Sequence, residues 1–171
     1  MKTSLVLTLI GPDKPGLVEL LSGTLAEHRA NWQESSMSRL AGKFAGILTA
    51  TVDPDRSDSL LNALQQLEAQ GLKVIAEVDH NSSTERLGKE VSLELVGHDK
   101  PGIVREISRA LAKRNISVER LETEVVSGSM SAEMLFKASA DLLVPTDADL
   151  DDLQDGLEAI ASDLMVDIVL N

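Results

Sequence analysis

The sequence predicts an α+β protein made of two tandem ferredoxin-like domains, each with the element order β-α-β-β-α-β. Three observations support this prediction. The 171-residue chain repeats itself at an offset of 86 residues, apolar residues alternate over segments of strand length, and apolar residues recur at helical spacing between those segments. The expected organisation is a first domain at 1–80, a linker at 81–88 and a second domain at 89–171.

The repeat is clearest in the 14 residues that open each half. Residues 9–22 read LIGPDKPGLVELLS and residues 95–108 read LVGHDKPGIVREIS, with eight identities. The pair Gly42 and Gly128 keeps the same offset. Asn31 and Asn115 match only if the first half carries two additional residues. We therefore expect two copies of one domain.

The first half predicts its elements in order. Alternation at Leu5–Leu9 indicates a strand, and the apolar spacing of Leu17–Leu25 indicates a helix. Asp13 is expected as the N-cap of that helix and Pro15 in its first turn. The remaining elements are a hairpin of strands at Trp32–Leu40 and Phe44–Val52, a helix over Leu60–Leu67 that ends at Gly71, and a strand at Leu72–Val78.

The second half predicts the same order. An acidic stretch at 147–158 resembles a calcium loop in charge only, because it lacks the turn glycine and its leucines have helical spacing. We interpret it as a helix with acidic residues favouring its N-terminus. The predicted elements are a strand at Val91–Val96, a helix at Ile103–Arg114, two strands around Gly128, a helix at Leu150–Ile160 and a strand at Leu164–Leu170.

Composition excludes several classes of protein. The net charge of −12 repels phosphate backbones, and three aromatic residues are too few for a base-stacking platform, so no direct nucleic-acid binding is expected. The absence of cysteine excludes disulfides and thiol catalysis. No apolar run is long enough to cross a bilayer and no export leader is visible, so we expect a cytoplasmic protein without membrane contact.

No catalytic constellation is found in the sequence. The three histidines, His28, His80 and His98, fall on a helix end, a linker edge and a loop, and none lies four residues from another as in a helix-borne metal pair. We therefore expect no enzyme activity, no metal and no cofactor.

The duplicated Gly-x-Asp-Lys-Pro-Gly loop is the most specific motif in the sequence. A strand-to-helix turn needs a chain breaker, a cap and a proline, which explains the loop without any ligand. The same parts could bind an amino acid, because a helix N-terminus accepts a carboxylate, Gly16 and Gly102 let a ligand approach the backbone, and Asp13 or Asp99 could meet an ammonium group. From the residues alone, both interpretations stay open.

At this loop the sequence resembles the ACT domain, a small regulatory module that senses amino acids. The resemblance rests on a strand, then Gly-x-Asp-x-Pro-Gly-Ile/Leu-Val opening a helix, then an asparagine before the second strand, in both halves. It implies an amino-acid site at each loop, usually near a domain–domain interface. Carried over by position, the ligand-binding residues would be Gly11, Pro12, Asp13, Lys14, Pro15, Gly16 and Asn31 in the first half, and Gly97, His98, Asp99, Lys100, Pro101, Gly102 and Asn115 in the second.

The chain as a whole resembles the glycine cleavage system transcriptional repressor family, whose members are little more than two such domains. That resemblance implies a repressor that responds to a small amino acid, with glycine favoured, and that binds a LysR-type transcriptional activator rather than DNA. We also expect a homo-oligomer. The alternative is a separate amino-acid-sensing regulatory subunit of a metabolic enzyme.

Alternation also predicts which sheet residues face the helices. In the first half, Leu5, Leu7, Leu9, Leu48, Ala50, Val52, Leu72 and Val74 are expected under the helices. The opposite face would be uncharged at its centre, and we expect it to be covered by the second copy or by another subunit. The equivalent face of the second half, with Ser92, Glu94, Val96, Glu133, Leu135, Lys137 and Asp167, carries charge and can stand in water.

Overall fold

Each half of the chain forms a four-stranded antiparallel sheet with two helices on one face, as predicted. The computed structural model describes residues 1–80, 86–128 and 132–171. The chain divides into a first unit, Met1–Thr84, and a second unit, Glu85–Asn171. The predicted linker at 81–88 lies largely outside the described residues.

The first unit has the strand order β2-β3-β1-β4. Pro54 occupies the first turn of its second helix, and Gly71 ends that helical region with a positive φ of 97°. Its elements are β1 at Thr3–Pro12, α1 at Leu17–Glu27, β2 at Asn31–Leu40, β3 at Lys43–Val52, α2 at Pro54–Gln66 with a 3-10 turn at Leu67–Gln70, and β4 at Lys73–Val78.

The second unit has the equivalent order β6-β7-β5-β8. The acidic stretch forms a helix, because Asp149 caps it by accepting from the N–H groups of Asp151 at 2.9 Å and Asp152 at 3.2 Å. Leu164 belongs to this helix and not to the last strand as predicted. The elements are β5 at Lys89–His98, α3 at Ile103–Lys113, β6 at Ser117–Ser127, β7 at Met134–Val144, α4 at Leu150–Leu164 and β8 at Val166–Leu170.

The core of each unit lies between its sheet and its two helices. All eight first-unit residues predicted to face the helices are buried, with at most 8% of their surface exposed. Trp32, the one tryptophan of the chain, is half-buried against this core. The second core contains Leu93, Leu95, Ile107, Leu142, Leu153 and Leu157, among others. Two separate cores are what a tandem repeat of small domains requires.

The two units correspond at a constant offset only as far as the second strand. Ile47 pairs with Thr8 and Ser139 pairs with Glu94, so Ser139 is the counterpart of Ile47. The sequence comparison had assigned Glu133, which precedes β7. The difference arises because residues 41–42 join β2 to β3, whereas residues 128–133 join β6 to β7. The shift is an even number of residues, so the predicted faces stay correct.

Candidate functional site

Each predicted ligand loop connects the first strand of a unit to its first helix through a left-handed glycine. Gly16 has φ 95° and Gly102 has φ 94°, and each is the N-cap residue of the helix that follows. The Gly16 carbonyl oxygen accepts the first helical hydrogen bond, from the Leu20 N–H at 2.9 Å. This geometry leaves the N–H groups of residues 17–19 without an intrahelical acceptor. The loops therefore present the anion-binding end of a helix.

The helices begin at Leu17 and Ile103 as the apolar spacing predicts, but the predicted N-cap is wrong. Neither α1 nor α3 has a side-chain cap, so Asp13 and Asp99 are not N-caps. Pro15 and Gly16 form a turn before the helix, which begins at Leu17. The physical reason is that the left-handed glycine reverses the chain direction between the aspartate and the first helical residue. The carboxylates are thereby released from the capping role that we expected for them.

Space is open above both left-handed glycines. A Cβ atom built on Gly16 or Gly102 would meet no heavy atom within 4 Å. By contrast, a Cβ on Gly11 would lie 2.9 Å from the Gly71 carbonyl oxygen, and Gly97 is equally closed by Val166. Gly11 and Gly97 are thus explained by close packing against a neighbouring segment of the same unit, whereas Gly16 and Gly102 border accessible surface.

Contacts to distant parts of the first unit hold its loop in place. The Asp13 N–H donates to the Gly42 carbonyl oxygen over 3.0 Å, and the Asp13 carboxylate lies 3.4 Å from the Arg39 guanidinium. Lys14 Nζ donates to the Gln70 carbonyl oxygen over 3.1 Å, at the end of the 3-10 turn. The loop is therefore fastened to the β2–β3 hairpin on one side and to the end of α2 on the other.

The second loop is fastened in a similar way but leaves its carboxylate freer. The Asp99 N–H donates to the Met134 carbonyl oxygen over 3.0 Å, and His98 Nδ1 lies 3.1 Å from Glu133 Oε2. Within the described parts of the chain, Asp99 makes no ion pair of the kind that joins Asp13 to Arg39. Of the two loops, the second thus offers the more available negative charge.

The two predicted asparagines do not lie at the loops. Asn31 begins β2 and pairs with Thr51, at the end of the sheet where β1 starts. The nine residues from Ser4 to Pro12 span about 26 Å, which separates Asn31 from the loop of its own unit. Asn115 follows α3 at the corresponding end of the second unit, with φ 55°. Its structural counterpart is Arg29, with φ 56°, so the proposed two-residue insertion is wrong.

No sequence pattern predicts the residues that hold the two loops in place. Arg39, Gly42, Gln70, Glu133 and Met134 come from hairpins or helix ends that lie far from the loops in sequence. No local pattern marks them, because their role depends on the pairing of β3 with β1 and of β7 with β5. Only the three-dimensional arrangement identifies them.

A cleft of about 300 Å³ lies at the end of the second unit away from the loop. The Arg114 guanidinium borders it, donating to Asp152 Oδ2 and to the Ala110 carbonyl oxygen, both over 2.9 Å. The lining residues are Arg114, Asn115, Ile116, Pro145, Asp147, Ala148, Asp149 and Asp152. Among the residues that the structure describes, no group of three acidic, histidine or cysteine side chains could hold a metal ion.

None of the helices in the described part of the chain combines the length and apolar character needed to span a membrane.

Comparison with known proteins matches both units to one family. Two family models, each described as an ACT domain, match residues 3–78 and residues 91–162. The UPF0237 protein MK1213 of Methanopyrus kandleri is 38% identical to this chain over 64 residues, which cover 37% of this chain and 69% of that protein. The residues matched by the two family models include both loops.

Solved structures agree with the fold. A crystal structure of an unknown protein from Galdieria sulphuraria has a TM-score of 0.87 at 25% identity, covering 100% of this chain and 98% of that one. A crystal structure described as a candidate glycine cleavage system transcriptional repressor has a TM-score of 0.74 at 20% identity, covering 100% and 97%. At that identity the second similarity concerns the fold alone.

Proposed function

The chain belongs to the ACT-domain family, with one domain in each unit, and from this premise we propose that it is a regulatory protein that binds a small amino acid. The single observation that supports the proposal most is the duplicated loop. Each copy combines unbonded helix N–H groups, open space above a left-handed glycine and a nearby aspartate. The helix N–H groups can bind the carboxylate of an amino acid, and the aspartate can bind its ammonium group.

The second loop is the stronger site in this proposal. Asp99 has no ion-pair partner among the described residues, whereas Asp13 faces Arg39 at 3.4 Å. An ammonium group would therefore compete with a guanidinium at the first loop and not at the second. Glycine is the favoured ligand, because the open space over Gly102 admits a small molecule and because the sequence resembles a glycine-responsive family.

We further propose that the ligand-bound protein acts on a transcription factor without catalysis and in the cytoplasm. The partner would be a LysR-type activator, and the regulated genes those of glycine cleavage. Support comes from the tandem architecture shared with the candidate repressor structure and from the net charge of −12, which disfavours direct contact with DNA. Asn31 and Asn115 would complete a site only if another subunit supplied them, which supports a homo-oligomer.

Ligand binding is tested by thermal denaturation with amino acids at millimolar concentration. A ligand that binds only the folded state raises Tm, so glycine should raise it, whereas acetate and methylamine, each with one of its two charged groups, should not. Asp99→Asn should abolish the shift, and Asp13→Asn, the same change in the other loop, should reduce it less. No shift with any of the twenty amino acids would contradict the proposal.

The partner is tested separately, by capture on the immobilised chain with and without glycine. Recovery of a LysR-type protein would support the repressor role. Recovery of an amino-acid biosynthetic enzyme would favour the alternative, a detached regulatory subunit. Retarded DNA with the protein alone at physiological salt would contradict both.

A further inference from the structure

The sheet of the first unit has one face that none of its helices covers. Residues on this open face alternate with the buried leucines of β1 and β3. Ile10, Ile47 and Ile75 expose 45%, 55% and 53% of their surface there. Uncharged members of the open face on β1, β3 and β4 include Val6, Thr8, Ile10, Ala45, Ile47, Thr49, Thr51 and Ile75, and Ser36 and Ser38 of β2 pair with two of them. Such a group of β-branched side chains is unusual for a surface that stays in water.

The corresponding face of the second unit is of a different kind. Arg120 forms ion pairs with Asp141 at 2.7 Å and Glu122 at 2.9 Å across it. Eight charged side chains occupy this face, at Glu90, Glu94, Arg120, Glu122, Glu124, Lys137, Asp141 and Asp167. Removing those charges from water would cost more than the apolar contact gains, so a charged sheet of this kind is a poor cover for the open face.

The open face has a symmetric layout about one row of residues. Thr8 pairs with Ile47 on one side and with Ile75 on the other, which places the three in a row across the strands. Ile10 lies two residues beyond this row and Val6 two residues before it. On β4, Lys73 pairs with Ile10 and Glu77 pairs with Val6. Opposite charges therefore stand at equal distances on the two sides of the row.

We propose that a second copy of this chain packs its own open face against this one, related by a two-fold axis that lies between the sheets and runs along the row. Such an axis reverses the strand direction and keeps each strand above its equivalent. Lys73 then faces the partner's Glu77, Ile10 faces the partner's Val6, and Thr8 faces the partner's Thr8. The same surface is complementary to itself, as an isologous dimer requires.

Both threonine hydroxyls of β3 on the open face already have hydrogen-bond partners, so contact with another copy would not leave them unpaired. The Thr49 hydroxyl accepts from the Glu34 N–H at 3.1 Å and lies 3.5 Å from the Glu34 carbonyl oxygen. Thr51 Oγ1 accepts from the Gln33 amide at 3.5 Å. Within the described parts of the chain, Lys73 and Glu77 make no ion pair, so each is available to the other copy. Contact would thus leave no hydroxyl of β3 without a partner.

The area is sufficient for a specific dimer. Four strands about 4.8 Å apart and up to ten residues long at about 3.3 Å each give about 500–600 Å² on each copy. Two copies together would bury about 1,000–1,200 Å², which reaches the area of about 1,000 Å² that a biological interface needs and is typical of weak dimers. This proposal does not depend on amino-acid binding.

Sedimentation of the full chain tests the dimer. The wild type should sediment at about 50 µM with twice the 18.4 kDa mass of one chain. Ile47→Lys places a charge at the centre of the interface and should raise the dimer Kd at least about tenfold. Ser139→Lys, which introduces a lysine at the equivalent position of the second unit, should leave the dimer intact. A monomeric wild type, or equal behaviour of the two variants, would overturn the proposal.

A charge reversal tests the axis. Lys73→Glu would set two acidic residues against each other at both ends and should weaken the dimer about tenfold or more. Adding Glu77→Lys should restore it, since opposite charges then face each other again. Circular dichroism establishes that every variant is folded. A single reversal without effect, or a double variant that stays as weak as the single one, would overturn this arrangement.

Discussion

The Asp13 N–H donates to the Gly42 carbonyl oxygen over 3.0 Å, so the candidate ligand loop of the first unit is anchored to the tip of the β2–β3 hairpin. Ala41 and Gly42 form that tip, with φ of 52° and 78°. Two consecutive positive φ values in a two-residue connection are typical of a type I′ turn, in which alanine is a poor first residue. The rigidity of the hairpin therefore influences the position of the loop.

Ala41→Asn should stabilise the first unit by about 0.5–1 kcal/mol, because asparagine tolerates the left-handed conformation and Asn-Gly is the preferred type I′ pair. Denaturant unfolding followed by circular dichroism measures the change. Ala41→Val is the matched control and should destabilise, since a β-branched side chain is strained at positive φ. If the asparagine variant were no more stable than the valine variant, the turn assignment would be contradicted.

Two glycines should respond to alanine in opposite directions. Gly23 lies inside α1 with open space around it, so Gly23→Ala should stabilise by about 0.5–1 kcal/mol. Gly102 also has open space, but its φ is 94°, so Gly102→Ala should destabilise by about 1 kcal/mol or more. Unfolding free energies of the two variants measure the difference. A substitution at Gly102 therefore affects folding as well as ligand access, and Asp99→Asn is the cleaner test of binding.

Equivalent residues after α1 and α3 give a third test. Arg29 and Asn115 both occupy the left-handed position that follows a helix. Arg29→Asn should stabilise by about 0.5 kcal/mol and Asn115→Arg should destabilise by a similar amount, because asparagine tolerates this conformation better. Thermal unfolding of both variants checks the expectation. If Asn115→Arg left stability unchanged, the asparagine would need another explanation than backbone conformation.

Lys2 and Asp53 give a test in acid. Lys2 Nζ lies 2.6 Å from Asp53 Oδ1, and this hydrogen bond lowers the pKa of the Asp53 carboxyl below its usual value of 3.8. A carboxyl with a lowered pKa adds stability above its unfolded pKa and loses it as the pH falls through the folded value. Lys2→Met should raise the Asp53 pKa in an NMR titration. The stability difference from wild type should disappear in acid, and a difference that grows in acid would contradict the assignment.

Local sequence patterns predict the elements whose structure depends on nearby residues. The alternation of Leu5, Leu7 and Leu9 fixed the buried face of β1, and the pairing of β1 with β3 then placed Leu48 on the same side. Helical spacing located all four helices, and the repeated loop located the candidate site. These features are determined by residues that lie close together in sequence, so they can be predicted from the sequence.

Local patterns do not predict the features that depend on contacts between segments distant in sequence. Asp13 has the composition of an N-cap, but the left-handed Gly16 comes between it and the helix. Asn31 and Asn115 were matched by residue type, although backbone conformation pairs Asn115 with Arg29. Arg39 was not recognised as a partner of Asp13, because only the pairing of β2 with β3 and of β3 with β1 brings them together.

The position of Trp32 makes the two halves of the chain optically distinguishable. The indole Nε1 donates to Ser35 Oγ over 3.1 Å and the ring packs against the first core. Since no other tryptophan or any tyrosine is present, intrinsic fluorescence reports on the first unit alone, whereas far-ultraviolet circular dichroism reports on both. Melting curves from the two methods coincide if the units unfold together and separate if one unit unfolds first. The native chromophore therefore measures the cooperativity between the duplicated domains without any label.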